Sequence, residues 1–174
     1  MLADPDRVNA LISRCCQARF LRAVPMNAED QVSARLQIVD EHIRRENEHD
    51  LTGIMGTFGE TARFDDEPFD AHHIGHREVR AFYAGLLQAL PGLRLYVQRR
   101  HVASDAIVME VVVRGEHLGP WRGLPPTGRQ VELPLCGIFT FDEEDRLAGE
   151  RASCYCSCGA APAYSCLPRS AIIV

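Results

Sequence analysis

The chain has 174 residues, 46% of them hydrophobic and 25% charged, with a formal net charge of −5. At roughly 150 residues per domain this is the make-up of a globular protein with one main core, and it excludes an intrinsically disordered chain, a collagen and a coiled coil. A mildly acidic chain does not attract a phosphate backbone, so nucleic acid is not an expected partner, and no run approaches the ~20 apolar residues that a bilayer crossing needs.

The chain opens with Val8, Leu11, Ile12, Cys15, Cys16 and Leu21 at the spacing of an amphipathic helix that stops before Pro25. Residues 1–30 are therefore expected to form an N-terminal extension. Asp4 and Asp6 interrupt any apolar leader core, which points to a cytoplasmic protein. From about Gln31 a first main helix places Val32, Leu36, Val39 and Ile43 in one stripe, with charged residues on the other faces. A second follows Asp50, whose carboxylate can cap the free amides of the next turn. It carries Leu51, Ile54, Met55 and Phe58, and Gly53 and Gly56 keep it short. The third, from about Arg77 to Leu90, aligns Val79, Phe82, Tyr83, Leu86, Leu87 and Leu90 and ends at Pro91-Gly92.

Strands come next. Leu93, Leu95 and Val97 alternate with polar neighbours, Ser104-Asp105 turns the chain, and Ala106 to Glu116 is apolar on both faces, as in a central strand. Gly119 to Gly128 holds Pro120, Pro125 and Pro126 and must be a loop, after which Val131, Leu133, Leu135, Phe139 and Phe141 resume the alternation. Asp142 to Asp145 turns into a last strand at Leu147. Helices followed by strands make residues 31–151 an α+β domain. From Ala152 to Val174 the only charged residue is Arg169, and four of the seven cysteines lie there. Its start could extend the last strand, and the remainder of residues 152–174 is expected to be a loosely held, cysteine-rich tail. An odd cysteine count without a leader favours free thiols over a disulfide framework. Cys154, Cys156 and Cys158 without a later histidine fit zinc spacings poorly.

Glu110 lies within an apolar strand. It is either a general acid or base with a raised pKa or half of an ion pair with a neighbouring-strand arginine such as Arg100. His117 ends that strand beside Trp121, the only tryptophan, and is either a pocket-rim acid–base group or a strand-end histidine bonded to a loop carbonyl. His72, His73 and His76 lack a spaced carboxylate set, so no metal is expected. His49-Asp50 is a dyad or, more simply, a helix cap. Cys136 in an apolar strand has no basic activator. No phosphate loop, dinucleotide fingerprint or nucleophile elbow is present, and no cofactor is expected.

The segments Glu46-Asn47-Glu48-His49-Asp50-Leu51, Gly75-His76-Arg77-Glu78-Val79-Arg80-Ala81-Phe82-Tyr83 and Gly115-Glu116-His117-Leu118-Gly119-Pro120-Trp121-Arg122-Gly123-Leu124-Pro125-Pro126-Thr127-Gly128-Arg129 together resemble the SnoaL-like polyketide cyclase family of the nuclear-transport-factor-two-like superfamily. Phe139-Thr140-Phe141-Asp142 and Leu147-Ala148-Gly149-Glu150-Arg151 carry the resemblance to the end of the domain. It implies an α+β cone, in which three helices pack on a strongly curved mixed sheet around an apolar pocket, and a homodimer formed through the outer face of the sheet. It also implies cofactor-independent acid–base chemistry, cyclisation or isomerisation by proton abstraction next to a carbonyl, on a hydrophobic cyclic or polyketide-like small molecule. Relatives without catalytic activity make a ligand-binding or interaction module the alternative.

Carried over residue by residue, the family's pocket histidine falls on His117. The family's aspartate should follow the Pro-Pro-Thr-Gly-Arg loop, where this chain reads Gln130-Val131-Glu132-Leu133-Pro134. Glu132 is the nearest carboxylate and Glu110 a substitute for it. The pocket is expected to draw further on Asn47, Phe58, Tyr83, Trp121 and Cys136, with Asn47 or Tyr83 hydrogen-bonding an enolate oxygen. Relatives begin near Met26 and continue differently after Arg151, so Met26 is an expected alternative start and the tail an expected product of a shifted reading frame. Resequencing the gene checks the reading frame.

Overall fold

The computed structural model describes residues 27–154. The expected N-terminal helix and most of the cysteine-rich tail lie outside them. Helix α1 spans Ala28–Glu48, α2 Leu51–Thr57 and α3 His76–Ala89. Asn27 Oδ1 accepts from the Asp30 amide at the start of α1. Asp50 Oδ1 accepts from Gly53 N at 2.9 Å, the expected cap, and His49 Nε2 sits 2.9 Å from the Leu93 carbonyl oxygen. No described helix is long and apolar enough to cross a membrane.

Six strands, β1 (Arg63–Asp66), β2 (Ala71–Ile74), β3 (Arg94–Val102), β4 (Ala106–Glu116), β5 (Gln130–Phe141) and β6 (Leu147–Cys154), form one mixed sheet in the order β2-β1-β6-β5-β4-β3. The β1–β6 pair is parallel and the others antiparallel. Register shifts at Val97/Arg99 and Thr140/Phe141 bend the strands, as an extra residue in one strand of a pair does. The sheet is curved and unclosed, and with the three helices it makes the α+β cone that the resemblance implied.

The element order corrects one expectation, because β1 and β2 stand between the second and third helices rather than after them. Their segments, Arg63-Phe64-Asp65-Asp66 and Ala71-His72-His73-Ile74, show no apolar alternation. They are extended because β1 lies on β6 in the register Phe64↔Glu150, a tertiary contact that no local pattern announces. β6 does run past Arg151, to Cys154.

β4 alternates as a strand with one covered face. Ile107, Met109, Val111 and Val113 are buried and the residues between them half-buried. The inner face of the sheet and the apolar stripes of α1 and α3 close the core, with Val39, Ile54, Val79, Tyr83 and Phe139 at its centre. Gly119 lets the loop after β4 lie against the end of α3. Leu118 N and Gly119 N both donate to the Ala89 carbonyl, and a Cβ at Gly119 would stand 2.2 Å from the Gln88 carbonyl oxygen. That docking carries His117 and Trp121 to the mouth of the cone.

Candidate functional site

Between α3 and the inner sheet lies a cavity of about 130 Å³, with walls that include Phe64, Phe82, Leu86, Leu95, Trp121 and Leu135. Three acidic residues and one histidine also line it: Glu46, Asp66, Glu150 and His117. Such groups are expensive to bury unless partnered, so their partners define what the site can do.

One end, which we call the floor, comes from α1, α3 and β6. His42 is fully buried, and its Nε2 stands 3.0 Å from Tyr83 Oη, 3.2 Å from Glu150 Oε2 and 3.4 Å from Glu46 Oε1. Tyr83 donates its hydroxyl proton to Glu150 Oε2 at 2.5 Å. On the far side of the imidazole, Nδ1 is 2.7 Å from Thr57 Oγ1, and the Thr57 hydroxyl donates to the Ile54 carbonyl, also at 2.7 Å. Because Thr57 has committed its only proton, its oxygen must accept from His42 Nδ1–H. That leaves Nε2 as the nitrogen that faces the two carboxylates.

Burial pulls the His42 pKa down, but the hydrogen bonds and charges of Glu150 and Glu46 outweigh it and push it up to about 10. His42 is thus an imidazolium, with Nε2–H directed at the carboxylates. Burial raises the Glu46 pKa, against the opposing hydrogen bond and charge of His42. Burial and the two glutamates hold the Tyr83 hydroxyl well above its usual range, keeping it a donor. His42 Nε2, Glu46 and Glu150 have their atoms within 4.8 Å of one another, and a cation could join them only by displacing the Nε2 proton.

The mouth is built by the loop after β4. His117 N donates to the Arg129 carbonyl, and Thr127 N and Gly128 N return to the His117 carbonyl. The side chain is buried, with Nδ1 3.1 Å from Thr127 Oγ1 and Nε2 without a partner. Trp121 and Leu124 exchange backbone hydrogen bonds across Arg122 and Gly123, both at positive φ, the conformation of a tight two-residue hairpin. Both flanking side chains thereby reach the cavity. Arg122 pairs with Asp66 and lies over the Phe69 ring at 4.1 Å. Burial raises the Asp66 pKa against the pull of that arginine.

Of the residues expected from sequence, His117, Tyr83 and Trp121 line this cavity. Phe58 does not; it packs edge-on against the His42 ring at 5.4 Å, walling the floor from behind. The Asn47 side chain is spent on the β3 backbone, accepting from Leu95 N at 2.7 Å and donating to Leu95 O at 3.2 Å. Cys136 pairs in register with Glu110 on the outer face of the sheet, where burial and that carboxylate push its thiol up.

The two expected carboxylates are not brought to His117, and this corrects the sequence-based assignment. Glu110 lies on the outer face, 3.1 Å from His101 Nε2 and 3.2 Å from Arg99 Nη1, and the His101 hydrogen bond leads in lowering its pKa. The ion-pair alternative therefore describes it, with Arg99 rather than Arg100, which pairs with Asp40. Glu132 faces outward too, 2.9 Å from Arg114 Nε. Strand parity explains both, since even-numbered positions of β4 and β5 point away from the buried odd ones. Glu110→Gln and Glu132→Gln should each change stability by less than about 1 kcal/mol, as exposed ion pairs do, and leave ligand binding at the wild-type level in a titration.

His42, Glu46, Glu150 and Thr57 were not expected at the site from sequence. A signal for Glu46 was present, because the stripe Val32, Leu36, Val39, Ile43 continues at helical spacing to Glu46, an acid where the next apolar residue belongs.

Several solved structures share the fold. AclR from Streptomyces galilaeus, a candidate hydroxylase, is 22% identical, with a TM-score of 0.61 over 70% of this chain and 79% of that one. A candidate SnoaL-like polyketide cyclase from Jannaschia sp. is also 22% identical, with a TM-score of 0.64 over 70% and 85%. A Mycobacterium tuberculosis protein in complex with estradiol-17β-hemisuccinate is 15% identical, with a TM-score of 0.58 over 70% and 94%. No curated protein matches the chain. Residues 39–150, more than half of the sequence and all of the cavity's walls between α1 and β6 up to Glu150, match the SnoaL-like domain, and the chain belongs to that family.

Proposed function

We propose that the protein is a cofactor-independent enzyme that moves a proton next to a carbonyl of a hydrophobic cyclic or polyketide-like compound, giving isomerisation or cyclisation. The observation that carries this reading is a buried acid–base cluster, in which Glu46, Glu150 and Tyr83 line a largely apolar cavity and His42 stands behind them, with the unpartnered Nε2 of His117 lining the same space. Glu46 is the base. It lines the cavity, and its 3.4 Å approach to His42 is looser than the contacts that hold Glu150. Its proton affinity, raised by burial, favours taking up a proton.

The Glu46 carboxylate takes the α-proton, and the C–H electron pair moves toward the carbonyl oxygen. His117 steadies that oxygen through Nε2–H, with Nδ1 accepting from the Thr127 hydroxyl. Return of the proton to a different carbon completes an isomerisation. Attack of the enolate carbon on a second carbonyl, whose oxygen is then protonated, completes a ring closure. Trp121 packs on the rings.

A second reading, a non-catalytic binding module, draws support from the mutual hydrogen bonding of the floor. Deuterium incorporation into 2-decalone in buffered D2O, followed by NMR, separates the two. The enzyme reading expects exchange above the buffer rate that falls in His117→Ala far more than binding does, whereas equal losses would reject the role of His117. Exchange at the buffer rate would leave the binding module. We also infer a homodimer through the outer sheet face, supported by its half-buried Val108 and Val112 and the exposed Tyr96.

A further inference from the structure

The charges around the cavity do not balance, and the side-chain donors at its floor are already engaged. Asp66 is matched by Arg122. At the floor two carboxylates, Glu46 and Glu150, face one imidazolium, His42, which leaves one negative charge over when both are ionised. Tyr83 O–H is given to Glu150, Thr57 O–H to the Ile54 carbonyl and His42 Nδ1–H to Thr57, while Nε2–H points at the carboxylates. The floor therefore offers acceptors and excess negative charge. His117 is the one basic residue among the described groups lining the cavity, and its Nε2, on a side chain 5% exposed, has no partner.

We infer that the cavity takes an uncharged ring compound bearing a hydroxyl, with that hydroxyl donated to Glu46 or Glu150 and the ring held against Phe64, Phe82 and Trp121, and that it rejects carboxylates of the same shape. The inference rests on the proposed function only in sharing its floor, and it holds whether or not catalysis follows. A hydrogen bond to a charged acceptor outweighs a neutral one, and a second anion beside the surplus charge is repelled where little water screens it.

The test uses the full chain and three decalin probes that do not fluoresce: 2-decalol, its methyl ether and decalin-2-carboxylate at pH 7.5. Trp121, the only tryptophan, reports binding through its emission. 2-Decalol should bind about tenfold or more tightly than either the ether, which keeps the oxygen but has lost the donor, or the carboxylate. In Glu46→Gln the gap between alcohol and carboxylate should narrow several-fold. The wild-type order decides the matter even if a variant fails to fold. A carboxylate or ether that binds as tightly as the alcohol, or emission unmoved by all three, overturns the inference. Failure of 2-decalone exchange with this order intact would remove the catalytic reading and leave the ligand class standing.

Discussion

Replacing His42 by Ala should cost about 3–5 kcal/mol, as removal of one member of a buried ion pair does, out of the roughly 5–15 kcal/mol that holds a domain folded. His42 is fully buried, and without it Glu46 and Glu150 would face each other with only Tyr83 between them. Urea denaturation monitored by circular dichroism measures the loss. Adding Glu46→Gln to the variant should recover part of it, because the two sites share one network. The pH dependence has a definite sign. Its neighbours push the His42 pKa from the ordinary 6.5 up to about 10 in the folded chain, so its contribution is complete below about 6.5 and is lost as pH rises through about 10. The raised Glu46 pKa acts in the same direction. Urea midpoints should therefore fall between pH 7 and pH 10 more steeply in the wild type than in His42→Ala. A loss below about 1 kcal/mol on removing the imidazole would show that the network is not a charged one.

Glu46→Gln should lower exchange on 2-decalone by about 10²–10⁴-fold, the usual contribution of a general base, while the fold survives. The amide keeps the side chain's shape and removes a carboxylate whose burial raises its pKa, so the thermal midpoint should stay level or rise. Glu150→Gln is expected to behave differently, because Glu150 accepts from Tyr83 and faces His42. It should lose stability as well as activity. Thermal unfolding of the two variants alongside their exchange rates distinguishes the base from its support.

The three main helices, the central strand and the proline-rich loop were legible in the sequence because each follows from local pattern, as α3 shows with its apolar face and its stop at Pro91-Gly92. The β1–β2 hairpin was not, since Arg63, Asp65, Asp66, His72 and His73 become strand residues only through the lateral support of β6. At the site, His117, Tyr83 and Trp121 were recoverable from the family resemblance and from the aromatic positions of α3 and the loop. The carboxylates were misassigned because the missing aspartate after the loop drew attention to its nearest neighbours along the chain. Parity turns Glu110 and Glu132 outward. Glu46 and Glu150 lie 104 positions apart, and only the packing of α1 against β6 makes them one site.

The cavity floor holds a proton on His42 between two carboxylates. Nitrogen NMR of the full chain labelled with ¹⁵N-histidine tests it without any substrate. Both His42 nitrogens should be protonated at neutral pH, with the resonances moving only as pH approaches about 10. A His42 that titrates near 6.5, the ordinary value for histidine, would contradict this, and with it the choice of Glu46 as base.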